Sequence, residues 1–325
     1  MSRRAAGEST AAPSRATGPE QALAPIARPG RPLVLAVSGG LDSMVLLEAA
    51  ARTIPARQLV VATFDHGTGA AARRSARLVV RRARALGLRV EAGRARLPAS
   101  GEAAWRAARW SFLRHVAREA GAAVVTAHTR DDQVETVLLR ALRGAGPRGL
   151  AGLYAASAIR RPFLELSRAR LRAWADAQGI DWVEDPSNAD LRHRRNRVRH
   201  QLLPALRAVR PGFDHELLAV ARRAAAWRTG VERVARRLSR VERGAAYVAT
   251  ATLLGYDRAA LAVLWPAVAA RVGLALDRRG TERLVGFTTN EAGVVGGRAQ
   301  LAGGWEVLRR REELVLRRAP TAPGD

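Results

Sequence analysis

Short apolar runs alternate with amphipathic segments through the first half of the chain. Runs of the length that buried strands use occur at residues 33–37, 59–64, 88–92 and 123–127. Each is followed by a segment with helical spacing of its apolar residues. Four such strand–helix units predict right-handed crossovers and a parallel sheet with helices on both faces. The predicted fold class is therefore α/β.

The second half of the chain lacks this alternation of strand and helix segments. Helical patches are predicted at 168–178 and 191–207, and apolar residues recurring every three or four positions predict one long helix over 217–241. Short apolar runs near the C-terminus, at 305–308 and 314–316, predict small antiparallel strands.

We predict a domain boundary near Pro211 and Gly212. It divides the chain into a disordered N-terminal tail (1–30), an α/β domain (31–212) and a smaller, largely helical domain with short strands (213–325). The tail is rich in Ala, Pro, Ser and Arg and has no apolar core segment, which argues against a secretory signal but leaves a transit peptide open. A cytosolic location is expected.

Composition adds a strong charge signal. The chain has 325 residues and a formal net charge of +26, and all of its basic residues are arginine because it contains no lysine. Such an excess predicts a polyanionic partner, with nucleic acid first and an anionic membrane surface second. The longest apolar stretch, 259–270, contains Pro266 and is too short for a membrane span. Cysteine is absent, which excludes disulfides and thiol chemistry.

A glycine-containing loop follows the first predicted strand. It comprises Ser38, Gly39, Gly40, Leu41, Asp42 and Ser43, and a helix follows it. Glycines let backbone N–H groups approach an oxyanion, and a helix N-terminus favours negative charge, so the loop predicts a phosphate site. The lysine-containing P-loop and the dinucleotide-binding glycine pattern are both missing.

An acidic cluster follows the fourth predicted strand. Asp131, Asp132 and Glu135 share one face of a predicted helix and lie directly after His128. Because parallel strands end at one edge of a sheet, we expect this cluster beside the phosphate loop. Three carboxylates there suggest a Mg²⁺ or an ammonium partner, with Asp42 on the metal side.

Several motifs together resemble one enzyme family. The loop at 38–43 resembles the pyrophosphate loop of the N-type ATP-pyrophosphatases, which have a Rossmann-like fold. The stretch at 126–140 resembles the AHHxDDQxET segment of the tRNA(Ile)-lysidine synthetases. Residues 184–188 and 195–200 resemble that family's EDxSN and RNxxRH elements. The resemblance runs from about residue 33 to residue 205.

The resemblance implies a ligase that modifies tRNA. ATP would adenylate the wobble cytidine of the isoleucine tRNA with a CAU anticodon, and free L-lysine would then replace AMP to give lysidine. It implies ATP and Mg²⁺ as cofactors, no membrane partner, a possible homodimer and a tRNA-binding role for 213–325.

The resemblance and the residue pattern also assign site residues. The catalytic set is Asp42, His128, Asp131, Asp132 and Glu135. ATP binding involves the loop from Ser38 to Ser43 with Arg106 and Arg109. Lysine would bind Asp132 and Glu135, tRNA would bind Arg195 and Arg199, and the metal would bind Asp42 and Asp131.

Two departures and two alternatives accompany this interpretation. Thr129 stands where the family has a second histidine, so His128 acts alone, and the segment after the second strand lacks the family's usual pattern. One alternative is a tRNA thiolase, which the absence of cysteine disfavours. The other is a non-catalytic RNA-binding relative, which the intact loop and acidic cluster disfavour.

Overall fold

The computed structural model describes residues 18–67, 69–95, 102–184, 190–290 and 295–320. Two compact units make up the chain. The first comprises residues 1–145 and 152–221, and the second comprises 146–151 and 222–325.

A parallel four-stranded sheet forms the centre of the first unit, as predicted. Its strands are β1 (Leu33–Ala36), β2 (Leu59–Asp65), β3 (Arg89–Arg94) and β4 (Ala123–Thr126), in the order β3-β2-β1-β4. All three neighbouring pairs are parallel. The carboxyl ends of these strands therefore meet at one edge of the sheet.

Helices cover both faces of this sheet, which confirms the predicted α/β class. They are α2 (Leu41–Thr53), α3 (Ala70–Ala85) and α4 (Glu102–Glu119), whereas α5 (Arg130–Ala141) packs in a separate core with Val198, Leu203 and Leu218. Leu33 and Leu35 pack in the core that α2 and α3 share, whereas Val34 packs in the core that includes α4. This alternation follows from the period of two along a strand, and it buries both faces.

The N-terminal tail prediction is wrong for the part that the structure describes. Residues Pro19–Leu23 form a short helix, α1, that packs on α2. Leu23 is fully buried in the core of the sheet, and Ile26 packs against the same core. Burial of these apolar side chains holds the segment in place. Residues 1–17 lie outside the described residues.

Further helices follow the sheet. They are α6 (Pro147–Leu150, in the second unit), α7 (Arg168–Ala177), α8 (Arg194–Arg197), a π-helical segment (Val198–Leu202), α9 (Leu203–Val209) and α10 (Phe213–Leu238). The π-helical segment joins α8 to α9 without a break, and such segments are frequent at functional sites.

The second unit contains an antiparallel sheet of short strands. Its strands are β5 (Ser239–Glu242), β6 (Ala245–Ala249), β7 (Arg298–Leu301), β8 (Trp305–Arg309) and β9 (Glu313–Arg318), in the order β5-β6-β9-β8-β7. Helices α11 (Arg258–Arg271) and α12 (Arg278–Thr289) pack in the core of this unit around the buried Trp265. Within the described ranges, no helix is long and apolar enough to cross a membrane.

The long helix differs from its prediction at the C-terminal end. It ends at Leu238, and Val241 lies in β5 rather than in the helix. The reason is pairing with β6, where Val241 is opposite Ala246. The division between the two units falls between Ala221 and Arg222, inside α10, whereas the sequence places a boundary before this helix.

Candidate active site

The loop between β1 and α2 has a conformation that requires glycine. Gly39 has a φ of +88°, in the region that L side chains rarely adopt. A Cβ at this position would lie 2.8 Å from Ser75 Cβ and 2.9 Å from its carbonyl oxygen. The close approach of α3 and the backbone angle together exclude any larger residue.

Ser43 fixes the shape of this loop. Its Oγ accepts hydrogen bonds from the backbone N–H groups of Ser38, at 3.1 Å, and Gly39, at 3.2 Å. The same hydroxyl donates to Gly40 O at 2.9 Å. No side chain in the described part of the chain caps the N-terminus of α2, so the N–H groups of its first turn are available to an anion.

A cavity of about 380 Å³ opens at the carboxyl edge of the sheet. This volume lies in the range of small-ligand sites. The loop residues line it together with charged and titratable side chains from four other positions: His66, Arg109, His128 and Arg168. The structure thus brings the phosphate loop, Asp42 and His128 together, as the sequence predicts.

Asp42 is the carboxylate of this cavity. One of its oxygens, Oδ2, lies 3.5 Å from Nη2 of Arg168, and the other, Oδ1, is buried and has no hydrogen-bond partner among the described residues. Burial raises its pKa to about 6, although the charge of Arg168 opposes the shift. A buried carboxylate with a free oxygen is suited to a cation or to a proton.

His128 faces the same cavity from the end of β4. Its Nδ1 lies 2.7 Å from Thr126 Oγ1. Burial lowers the pKa of His128 to about 4, against the attraction of Asp132, so the imidazole is neutral at pH 7.

Only one of the two predicted arginines of α4 reaches the cavity. Arg109 lines it, and its buried Nε has no hydrogen-bond partner in the described part of the chain. Burial lowers the pKa of Arg109, and the nearby Arg106 lowers it further. Arg106 is exposed and is not among the residues that line the cavity. An unsatisfied buried guanidinium marks a place for an anion.

Thr129 has a clear structural role. It is 1% exposed and is the N-cap of α5, where its hydroxyl accepts the N–H of Asp132 at 3.3 Å. Asp132 Oδ2 accepts the N–H of Thr129 in return, at 2.9 Å. This reciprocal capping fixes the first turn of α5 and the carboxylate of Asp132.

Asp132 and Glu135 are paired with arginines. Arg195 donates to Asp132 Oδ1 at 2.8 Å and to Glu135 Oε2 at 2.7 Å. Arg199 donates to both oxygens of Glu135, at 2.6 and 3.0 Å. Glu135 is 2% exposed. Burial raises the pKa of Asp132, but the charge of Arg195 and the hydrogen bonds from Thr129 outweigh this effect and lower the pKa below its ordinary value.

This arrangement changes the predicted roles of four residues. Asp132 and Glu135 were assigned to an ammonium group, and Arg195 and Arg199 to tRNA phosphates, but in the structure they bind one another. The described contacts therefore form a closed clamp between α5 and the segment 195–199. They support neither an open amine pocket nor free phosphate-binding arginines.

Sequence reasoning missed Arg168. Its side chain lies beside Asp42, and its backbone N–H donates to Asp131 Oδ2 at 2.8 Å. Asp131 thus ties the N-terminus of α7 to that of α5. The one available signal was Ser167, whose position before a helical patch is typical of an N-cap, and its hydroxyl does cap α7.

Two further predicted features can be placed only in part. Of the segment at 184–188, only Glu184 lies within the described residues, where it pairs with Arg172 at 3.0 Å. The described residues contain no group of three or more His, Asp or Glu side chains arranged to hold a metal ion.

Comparison with known proteins agrees with this geometry. Residues 16–206 match the PP-loop domain family. The U34-tRNA thiolase NcsA from Methanococcus maripaludis, described with its [4Fe-4S] cluster, has a similar fold: the TM-score is 0.54 at 12% identity, covering 64% of this chain and 78% of that one. The phosphate loop and parallel sheet thus define a PP-loop protein.

Curated relatives narrow the class. The tRNA(Ile)-lysidine synthase of Salinispora tropica is 40% identical over 319 residues, covering 90% of this chain and 92% of that protein. The tRNA(Ile)-lysidine synthase of Methylobacterium nodulans is 42% identical over 261 residues, covering 74% and 72%. The chain belongs to the tRNA(Ile)-lysidine synthase family of PP-loop proteins.

Proposed function

We propose that this enzyme attaches free lysine to C2 of the wobble cytidine in the isoleucine tRNA with a CAU anticodon. In the first step the C2 oxygen bonds to the α-phosphorus of ATP, and the bond to the β-phosphate breaks to release pyrophosphate. In the second step an amine of lysine bonds to C2, the bond between C2 and its oxygen breaks, and AMP leaves with that oxygen. The product is lysidine.

The cavity at the carboxyl edge of the sheet carries this proposal. It combines an uncapped helix N-terminus, two arginines and a carboxylate in a volume suited to a nucleotide. The N–H groups of α2 and the guanidinium of Arg109 would hold the phosphates and the negative charge that develops on the leaving pyrophosphate. Arg168 would hold Asp42 beside them.

His128 is positioned to accept a proton. Its Nδ1 is engaged with the hydroxyl of Thr126, which leaves Nε2 for the attacking amine. The imidazole is neutral at pH 7, and the negative charge of a bound nucleotide would raise its pKa toward the range of a general base.

The residues present fit a Mg²⁺ ion. Asp42 Oδ1 is buried and has no hydrogen-bond partner among the described residues, and Mg²⁺ commonly binds one or two carboxylates together with substrate phosphates. Asp42 would hold the ion, whereas Asp131, the second carboxylate of the prediction, is not among the described residues that line the cavity and accepts the backbone N–H of Arg168. When bound, Mg²⁺ would neutralise charge on the phosphate oxygens.

Mass spectrometry of nucleosides tests the proposal. The CAU transcript is incubated with the protein, ATP and lysine, and the wobble nucleoside is expected to gain lysine with loss of one water. Omission of ATP or lysine should leave the wobble cytidine unmodified. A transcript with a GAU anticodon, which has no wobble cytidine, should not react. An unmodified wobble cytidine in the complete mixture, or a sulfur-containing product, would contradict the proposal.

A further inference from the structure

Helices α8 and α9, with the π-helical segment between them, divide their arginines between two faces. Arg195 and Arg199 turn inward to the carboxylates of α5. Arg194 and Arg197 lie on another face and are exposed. In the described part of the chain these two side chains have no acidic partner, and neither has Arg143, which follows α5.

The three unpaired arginines surround an apolar groove of about 550 Å³. Its floor and walls include Leu139 and Leu142 of the α5 region and Val198 and Leu202 of the π-helical segment. Leu142 is 62% exposed, an unusual state for a large apolar side chain beside a core.

The groove lies on the same face of α5 as the clamp. On α5, Asp132, Glu135, Leu139 and Leu142 recur at three- and four-residue steps and so share one face. Leu142 is about 10 Å along the helix axis from Glu135, which corresponds to roughly three stacked nucleotides. A nucleic acid strand that enters the active-site region could therefore reach both places.

We propose that this groove binds a nucleotide of the substrate RNA. The base would pack on Leu139 and Leu142, and the flanking phosphates would bind Arg143, Arg194 and Arg197. An apolar surface ringed by arginines suits a stacked or buried base between two phosphates. Every base has a flat face that can pack on apolar side chains, and a guanidinium group can bind a phosphate through two parallel hydrogen bonds.

The charge pattern favours RNA over a protein partner. Three cations that have no acidic partner among the described residues border a groove whose volume is that of a small-ligand site. An apolar helix from another protein would leave these charges unpaired at its rim. The proposal rests on the proposed tRNA substrate, and it names new contact residues in place of Arg195 and Arg199.

Two variants with equal net charge test the groove. The first replaces Arg143, Arg194 and Arg197 by glutamine. The control replaces three exposed arginines that precede strands, at the opposite edge of the sheet: Arg57, Arg84 and Arg118. Binding of the CAU isoleucine tRNA transcript is measured by fluorescence anisotropy from low to physiological salt.

We expect the groove variant to lose about tenfold or more in affinity and to reduce the salt slope by about 1.5 to 2, because each of the two phosphate contacts contributes roughly 0.7 to 0.9. The control should keep nearly the wild-type slope. Leu142→Ala should weaken binding with no change in slope, because it removes an apolar contact of the groove and no charge.

Equal losses in the groove and control variants would overturn the proposal, because binding would then follow total charge alone. Unchanged tRNA binding in the groove variant would also overturn it and would favour a protein occupant. Lysidine formation by the wild type is assayed in parallel. A wild type that makes no lysidine contradicts the proposed function, whereas a wild type that makes it beside a groove variant with normal binding contradicts only the groove.

Discussion

At the residue scale, the cavity holds two groups whose pKa values are moved in opposite directions by the same burial. Asp42 is raised to about 6 and His128 is lowered to about 4. Burial penalises the charged form of each, which is the anion for Asp42 and the cation for His128. Both side chains are therefore neutral over a shared window between about pH 4 and pH 6.

The pH dependence of stability should separate these two groups. A raised carboxyl pKa favours the fold below the unfolded value near 3.8, and that contribution is lost as pH rises through about 6. A lowered imidazole pKa disfavours the fold as pH falls from 6.5 through about 4. Relative to wild type, Asp42→Asn should gain stability as pH rises, by up to about 3 kcal/mol, and His128→Asn should gain it as pH falls.

Urea unfolding at several pH values across that window measures both differences. Other titrating groups are common to all three proteins, so they cancel in the comparison. Differences of the same sign for the two variants would contradict the assigned burial effects.

Ser43 gives a second test at this scale. Ser43→Ala leaves the N–H groups of Ser38 and Gly39 without their acceptor, which costs about 1–3 kcal/mol for each buried group. We expect loss of ATP-dependent pyrophosphate release in the presence of tRNA, whereas Ser43→Thr, which keeps the hydroxyl, should retain much of it. Equal activity of the alanine and threonine variants would show that the hydroxyl does not shape the loop.

At the element scale, the clamp joins α5 to the segment 195–199. Glu135→Gln leaves Arg199 and Arg195 without their shared anion. Breaking a buried pair costs about 3–5 kcal/mol, and the partial exposure of Arg195, at 39%, places the expected loss near the lower end. Glu282→Gln, in an exposed pair with Arg278, is the matched control and should change stability by less than about 0.5 kcal/mol.

The clamp also predicts how activity fails. Because Glu135 joins α5 to the segment 195–199, Glu135→Gln should reduce pyrophosphate release and lysidine formation together. Separate assays of the two products check this. Loss of lysidine alone would restore the ammonium role that the sequence suggested.

Secondary structure was predictable where its cause is local, and the site only in part. Runs such as 33–37 show a strand directly, and the carboxyl edge of a parallel sheet predicts that Asp42 and His128 lie together. The partners of Glu135 lie sixty or more residues away, and every arginine of this arginine-rich chain looks alike in sequence. Helix α1 was missed because only tertiary burial of Leu23 stabilises so short a helix.

At the scale of the whole molecule, the net charge of +26 should make tRNA binding strongly dependent on salt. Arginines that already pair with carboxylates, as in the clamp, contribute less to counterion release than unpaired ones. We expect the slope of log K against log salt to be steep and negative for any tRNA. A slope near zero from low to physiological salt would show that the positive charge does not contribute to tRNA binding.

The central claim is that the C2 oxygen of the wobble cytidine becomes bonded to the phosphate of AMP. A CAU transcript with oxygen-18 at that position, incubated with the protein, ATP and lysine, tests this directly by mass spectrometry of the released AMP. We expect AMP to carry one oxygen-18 atom for each lysidine formed. Lysidine formation with unlabelled AMP would contradict the adenylated intermediate.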